Sequence, residues 1–174
     1  VTNKASRYFS GHVTIQSYSD QGSGSWIRQA DEVEAIIQSL PYPIEAYAKR
    51  SLYYGTDATI FFAGSYTNQR RLIGVEWDLE RSVLTDLDFV AGGVPDDGDS
   101  EGIIISQTAA GDLQARVGDE VTIGLTTRRG HRNTGQFKIR GIYAETSFFG
   151  YTSYLDRTTL NQLQGRSGGE VMEM

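Results

Sequence analysis

The residues of this chain that could do chemistry are few, and their order along the chain argues against a catalytic site. The stretch Gly98-Asp-Ser-Glu-Gly matches the G-x-S-x-G pattern of serine hydrolases, where the serine follows a strand and precedes a helix. Here Ser100 follows an acidic, glycine-rich loop and precedes an apolar run typical of a strand, which is the reverse order. The possible bases are His12 and His131. We therefore expect Ser100 to lie in a solvated loop, and a hydrolase using Ser100 is the alternative.

The same acidic loop places oxygen ligands at alternate positions, as calcium loops do. However, the twelfth position counted from Asp97 is Thr108 and not the glutamate that such loops require, and no helix is predicted before the loop. A loop kept open by like charges explains the pattern equally well, with calcium binding as the alternative. The chain has no cysteine, which excludes thiol chemistry, cysteine-ligated zinc and disulfides. We predict no catalytic residue, no cofactor and no metal site.

Two further groups of side chains suit binding better than catalysis. Arg128, Arg129 and Arg132, with His131 between them, have the forked donors that recognise a phosphate or carboxylate. The alternative is that these residues simply form a charged, solvated hairpin tip and bind no ligand. Phe148, Phe149 and Tyr151 form an aromatic cluster around Gly150, which either contacts a partner or packs under the adjacent hairpin.

Composition limits the classes of partner. The chain has 174 residues, a formal net charge of -6 and 39% hydrophobic residues, which is enough for one domain or two small lobes with a core. An acidic chain lacks the basic face that nucleic acids and anionic membranes require, so we predict no nucleic-acid partner. No run approaches the ~20 apolar residues of a membrane span. The polar start without methionine suggests an excised fragment or a processed product.

The elements that position these residues are clearest in the second half of the chain. The run Ile103-Ile-Ile predicts a strand, and Ser106 can cap a short helix that ends near Arg116, because its hydroxyl can accept from the first free helical amides. Val121, Ile123 and Leu125 alternate with polar residues, as in a half-buried strand.

A second strand and a second helix complete this half. The polar loop from Arg128 to Gly135 leads into an alternating stretch that begins at Phe137, and the pattern predicts an antiparallel partner for the preceding strand. Asp156 can cap a helix whose inward residues include Leu160, and Gly165 can end it.

The sequence pattern of the first half predicts one strand, then a helix, then three strands. Apolar residues recur every three or four positions from Trp26 to Leu40, where Pro41 ends the helix. Four strands are expected, at His12–Tyr18, from Ile44 to Tyr53 or Tyr54, at Ala58–Ala63 and at Leu72–Trp77. We expect the second and third strands to pair as a hairpin. Ser65–Arg71 is expected to form a turn or loop. Asp78 to Val90 could hold a short helix, and the glycine-rich stretch after it predicts a link. The order indicates an α+β fold with helix on sheet.

These motifs together resemble a known family. Ile104-Ile-Ser, Val117-Gly-Asp-Glu-Val-Thr-Ile, Phe137-Lys-Ile-Arg-Gly-Ile-Tyr and Tyr154-Leu-Asp-Arg-Thr-Thr-Leu are similar to the extracytoplasmic domain of MacB/FtsX-type ABC transporter permeases. That family includes the lipoprotein-releasing permeases and the macrolide and peptide exporters. The resemblance is good over residues 102–165 and looser before them, and the motifs identify a domain class rather than a substrate.

The resemblance implies an architecture and a set of partners. It implies a porter-like α/β lobe and a β-rich second lobe with short helices, which we assign to residues 1–80 and 102–165, with a link at 81–101 and a tail at 166–174. Such a domain is inserted between the first two membrane helices of a permease, on the extracytoplasmic side of the cell membrane. Two permeases pair, each binds a cytoplasmic ATPase, and the outer domain has no catalytic residue.

Two features depart from the family pattern. The loop from Arg128 to Gly135 is short and basic, which argues against the chaperone recruitment that a longer loop provides in lipoprotein-releasing members. The first lobe is also compact, which reduces the groove that would meet substrate. We expect Phe148, Phe149 and Tyr151, or Arg128, Arg129 and Arg132, to contact a partner domain or substrate. A free-standing extracellular β-rich binding or adhesion module is the alternative function.

Overall fold

The computed structural model describes residues 13–17, 26–27, 29–42, 44, 46–145 and 150–174. Within them the chain forms four helices, none of them long and apolar enough to cross a bilayer. The helices are α1 (Ala30–Ser39), α2 (Trp77–Leu84), α3 (Gln107–Leu113) and α4 (Arg157–Leu163). The strands are β1 (Ser51–Tyr53), β2 (Thr59–Phe62), β3 (Ser65–Asn68), β4 (Arg71–Val75), β5 (Phe89–Gly92), β6 (Gly102–Ser106), β7 (Glu120–Thr126), β8 (Arg132–Tyr143) and β9 (Thr152–Asp156).

All nine strands belong to one mixed sheet. Their order is β1-β4-β9-β6-β8-β7-β2-β3, and β5 pairs with the far end of β8. The β4–β9 and β6–β8 pairs are parallel, whereas β7 and β8 form a long antiparallel hairpin. The predicted α+β class is confirmed. Strands from both predicted lobes are neighbours in this sheet, so the boundaries at residues 80 and 102 do not coincide with a break in it, and the division into lobes stays a prediction.

The core lies on both faces of the sheet. On one face α3 and α4 cover a large apolar cluster that includes Ile60, Ile123 and Phe137. On the other face α2 covers a second cluster around Trp77 and Tyr154. Helix α1 packs on the C-terminal segment in a third, smaller cluster formed by Ile27, Ile37, Val171 and Met174.

The second half of the chain forms the predicted helices and strands, but β8 begins at Arg132, inside the stretch Arg128–Gly135 that was expected to be a loop, because this stretch pairs with β7. The hydroxyl of Ser106 accepts from the amide of Ala109 at 3.2 Å, and the carboxylate of Asp156 accepts from the amide of Thr159 at 2.8 Å, so both predicted helix caps are confirmed. Gly165 follows α4 with a φ of 73°, a left-handed conformation that glycine adopts without strain. Helix α3 ends at Leu113, earlier than predicted, because Gln114 turns into the left-handed region.

Two pairing predictions in the first half are wrong. Strand β1 pairs with β4, and β2 pairs with β3 and β7, so β1 and β2 do not form a hairpin. Ser65–Arg71 is not a loop, because β3 occupies Ser65–Asn68. The cause is the two-residue turn at Ala63 and Gly64, whose φ values of 47° and 86° reverse the chain at once, as the turns of tight hairpins do.

The ends of the described chain also differ from the prediction. The long strand predicted from Ile44 is limited to β1, and Arg50 instead makes an isolated bridge with Glu173. Residues 171–174, expected in a tail, are buried and hydrogen-bonded to the rest of the fold. The helix predicted over Trp26–Leu40 forms over Ala30–Ser39.

Candidate functional site

The basic residues predicted to bind a partner lie at the tip of the β7–β8 hairpin. The tip is closed by a hydrogen bond from the amide of Thr127 to the carbonyl of His131, at 2.7 Å, and Gly130 has a φ of 80° that the turn requires. Arg128 and Arg129 are exposed in this turn, and Arg132 begins β8. The structure therefore places all three arginines within one turn and the adjoining strand.

Arg132 is held by Asp57, for which the sequence pattern predicts only a turn. Its guanidinium donates to the carbonyl of Asp57 at 3.0 Å and lies 3.6 Å from the Asp57 carboxylate. The same carboxylate accepts from the Thr126 amide and from the Tyr53 hydroxyl. Burial alone would raise the pKa of Asp57, but these hydrogen bonds lower it below its ordinary value. Burial, followed by the bond to Asp57, raises the pKa of Tyr53 to about 12.

Arg128 is joined by two residues that sequence reasoning missed. Trp26 lies beneath Arg128, with 5.2 Å from the guanidinium carbon to the ring centroid, and Arg166 stacks on the same ring at 3.3 Å. Burial lowers the pKa of Arg166 to about 10, and the positive charge of Arg128 adds to that effect. No local pattern marks this stack, because its members come from three distant segments that only the folded chain brings together.

Of the predicted aromatic group, the structure describes Tyr151. Phe148 and Phe149 lie outside the described residues, whereas Tyr151 adopts a φ of 65° immediately before β9. Its hydroxyl donates to the carboxylate of Asp112 at 3.1 Å, which raises the pKa of Tyr151, and its carbonyl accepts from the amide of Arg70. On the other side of the loop, the carboxylate of Glu145 accepts from the amide of Thr108 at the start of α3. The base of the loop is thus fixed to α3 on both sides.

The structure separates Tyr151 from the three arginines of the hairpin tip. Tyr143 ends β8, and its hydroxyl donates to the carbonyl of Thr152, next to Tyr151. Arg132 begins the same strand. A strand of this length spans about 40 Å at ~3.3 Å per residue, so Tyr151 and the arginines lie at opposite ends of the sheet. They form two surfaces rather than one site.

The acidic loop and Ser100 border a groove. It has a volume of about 650 Å³ and lies between the loop, the first half of β8 and helix α4. Ser100 precedes strand β6, as expected, and it is exposed. Asp97 and Asp99 of this loop pair with Arg81 and Arg140, respectively. In the part of the chain that the structure describes, no three acidic or histidine side chains are grouped to hold a metal ion.

Comparisons with known proteins agree on one class of domain. The sequence model of the family described as the MacB-like periplasmic core domain matches residues 1–172. Among solved structures, the periplasmic region of MacB from Actinobacillus actinomycetemcomitans has the same fold, with a TM-score of 0.60 and 10% sequence identity. That match covers 92% of this chain and 70% of the other. No curated protein sequence matches the chain.

Proposed function

This chain belongs to the family of MacB-like periplasmic core domains, and from that membership we propose that it couples cytoplasmic ATP hydrolysis to substrate handling in an ABC transporter. The family makes it an extracytoplasmic domain of a membrane-bound ABC transporter permease. The observation that carries the proposal is the family match over residues 1–172, and the shared fold supports it. The proposed role is mechanical and non-catalytic.

The hydrogen bonding of the first and last described segments supports such a role. Ile15 and Met174 exchange two backbone hydrogen bonds, at 2.8 and 3.1 Å. The amide of Met172 donates to the carbonyl of Arg50, immediately before β1. A displacement of either segment would therefore be transmitted to the edge of the sheet, since β1 pairs with β4. We propose that motion of the membrane part enters the domain here.

The partners follow from the same proposal. They are a second permease subunit, identical or different, and a cytoplasmic ATPase subunit reached through the membrane helices. The substrate class comprises lipoproteins, peptides and small amphiphiles. A net charge of -6 disfavours nucleic acids, because phosphate neutralisation requires a basic face.

The parent gene provides the simplest test. We expect it to encode an apolar segment of about 20 residues before Val1 and another after Met174, because each must span a bilayer. We also expect a gene or a fused domain for an ATPase nearby. A secretory signal upstream and no membrane helix downstream would instead support a free-standing binding module.

The two predicted contact surfaces complete the proposal. We propose that the loop with Phe148 and Phe149, next to Tyr151, or the tip with Arg128, Arg129 and Arg132, contacts the partner domain or the substrate. Tyrosine and arginine are among the residue types that contribute most binding energy at interfaces.

Replacing Phe148 and Phe149 by serine in the full transporter tests the first surface. We expect export of the transported substrate to fall by about tenfold or more, as the loss of two aromatic contacts allows, with ATPase activity and folding retained. Tyr66→Ser is the matched control, because Tyr66 is 66% exposed on the edge strand β3 and belongs to neither surface. Normal export by the double variant would remove the aromatic loop from the proposal.

A further inference from the structure

Strand β8 extends beyond its neighbour on one side of the sheet. It pairs with β7 along Arg132–Lys138, but β6 begins only at Gly102, which lies opposite Lys138. The acidic loop before Gly102 turns away, and the amide of Glu101 donates to the side chain of Asp99 within that loop. Among the described residues, no strand therefore pairs with the β6 side of β8 between Arg132 and Phe137.

The direction of the free backbone groups follows from the alternation of an antiparallel pair. The amide of Lys138 donates to the carbonyl of Glu101 at 2.7 Å, so Lys138 points its backbone groups away from β7. Gln136 and Thr134, two and four residues earlier in the same register, point the same way. The amide of Thr134 is capped by the side chain of Asn133 at 3.0 Å. The amide and carbonyl of Gln136 and the carbonyl of Thr134 thus face the groove.

The groove has the shape and polarity of a site for one additional strand. Its wall is β8, and helix α4 contributes Thr159, Gln162 and Leu163 to the lining. The segment Arg132–Phe137 is about 20 Å long at ~3.3 Å per residue. The lining combines hydroxyl, amide and carboxylate side chains with the apolar surface of Phe137 and Leu163, so the groove can receive both the backbone and the side chains of a polypeptide.

The charged groups that line the groove lie at one end. The carboxylates of Glu101 and Asp156 line the end beside the acidic loop. The other end, toward the hairpin tip, is lined by Asn133 and Thr134, and the guanidinium of Arg132 is turned away from it, across β7 to Asp57. A bound segment with a basic side chain toward Glu101 would match this distribution, and such matching fixes register and orientation.

We propose that this groove binds an extended polypeptide segment, which adds to the sheet as a strand beside Arg132–Phe137 of β8. The backbone groups of Gln136 and Thr134 provide the hydrogen bonds, and the carboxylates of Glu101 and Asp156 favour a basic side chain at their end of the segment. The site would bind a polypeptide whether or not the chain works in a transporter, so its test is independent of transport.

Selection of peptides on the full 174-residue chain tests this proposal. The probe is a phage-displayed library of random peptides of about twelve residues, long enough for one strand and its flanks. We expect the enriched peptides to bind the wild type and Gln136→Val equally and Gln136→Pro about tenfold more weakly, because proline removes one amide donor. Gln136 does not hydrogen-bond to β7, so proline leaves the hairpin ladder intact.

Two measurements keep the test decisive if Gln136→Pro folds poorly. Peptide binding to the wild type should slow hydrogen exchange of the Gln136 amide by about tenfold or more, because that amide becomes paired. Peptides methylated at alternate backbone nitrogens should lose affinity, since methylation removes their ladder donors. No enrichment above the Gln136→Pro background, unchanged exchange at Gln136, or full binding by the methylated peptides would overturn the proposal.

Discussion

At the scale of single residues, Asp57 connects the hairpin tip to the rest of the sheet. Its carboxylate accepts from the Tyr53 hydroxyl at 2.7 Å and from the Thr126 amide at 2.8 Å, and it lies beside Arg132. The sequence indicates only a turn at this position, because the three partners come from different strands. A residue with such distant partners cannot be identified from local patterns.

The pH dependence of stability should reveal this role. Because hydrogen bonds lower the pKa of Asp57 below its ordinary value of 3.8, its charged form stabilises the fold above that value. This stabilisation is lost as the pH falls through the lower pKa of the folded state. We expect Asp57→Asn to lower the free energy of unfolding at pH 7 by about 1 kcal/mol and to flatten its decline below about pH 4.

Denaturant unfolding at several pH values measures both effects. Asp96→Asn is the matched control, because Asp96 is exposed in the acidic loop. If the free energy of unfolding of Asp57→Asn declines at low pH as steeply as that of the control, the role assigned to Asp57 is contradicted.

The Trp26 stack is a second residue-scale feature with a measurable effect. Trp26 packs against the apolar cluster under α2 and carries Arg166 on its ring at 3.3 Å. We expect Trp26→Ala to destabilise the fold by about 2 kcal/mol, through lost packing and lost cation–π attraction. Trp26→Phe keeps an aromatic face and should cost less than half as much. Equal losses in the two variants, measured by denaturant unfolding, would show that stacking does not contribute.

At the scale of elements, the sequence predicts best where each element is defined by its own residues. The caps at Ser106 and Asp156 and the alternation of Val121, Ile123 and Leu125 are local, and the structure confirms them. The partner of β1 is β4, which is distant in the sequence, so no local pattern identifies it. Gly74 allows close packing of β4, since a Cβ there would lie 2.9 Å from the Cα of Arg157, but no pattern in the sequence shows that α4 lies above it.

The turn between β2 and β3 offers a stabilising substitution. Ala63 has a φ of 47°, which an alanine adopts at a cost, and it is exposed before Gly64. Asparagine tolerates this conformation better and gives the Asn-Gly pair that tight hairpin turns favour. We expect Ala63→Asn to raise the free energy of unfolding by about 0.5–1 kcal/mol.

Thermal and denaturant unfolding measure this gain. Gly64→Ala is the opposite control, because the φ of 86° strains any residue with a Cβ, and it should destabilise the hairpin. A loss of stability in Ala63→Asn would show that the turn is not the one described.

At the scale of the whole molecule, the first and last described segments are tied to the same place. The C-terminal segment passes from α4 to Arg50 and then pairs with Ile15. Asn161, fully buried on α4, holds it by donating to the carbonyls of Gly168 and Glu170, at 3.1 and 2.8 Å. Arg157 donates to the same two carbonyls. Residues 166–174 resemble a tail in the sequence because these partners lie outside any local pattern.

A substitution that weakens this attachment should make the C-terminal segment open more often without unfolding the whole domain. Asn161→Ala removes two hydrogen bonds but leaves the apolar contacts of α4, so we expect the fold to remain and the segment to open more often. The amides of Met172 and Met174, which donate to Arg50 and Ile15, should exchange about tenfold faster, because each open state costs ~1–2 kcal/mol less. Amides of β6 and β9 in the centre of the sheet should keep their rates.

Asn133→Ala is the matched control, because Asn133 also donates its side-chain amide to a helix carbonyl, that of Leu163, but it holds no part of the C-terminal segment. If the segment transmits motion from the membrane as proposed, Asn161→Ala in the full transporter should lower export per ATP hydrolysed, whereas Asn133→Ala should not. Faster exchange with unchanged coupling would show that the attachment is structural only, because a transmitting segment cannot be loosened without loss of transmitted motion. Unchanged exchange would show that Arg157 alone secures the segment.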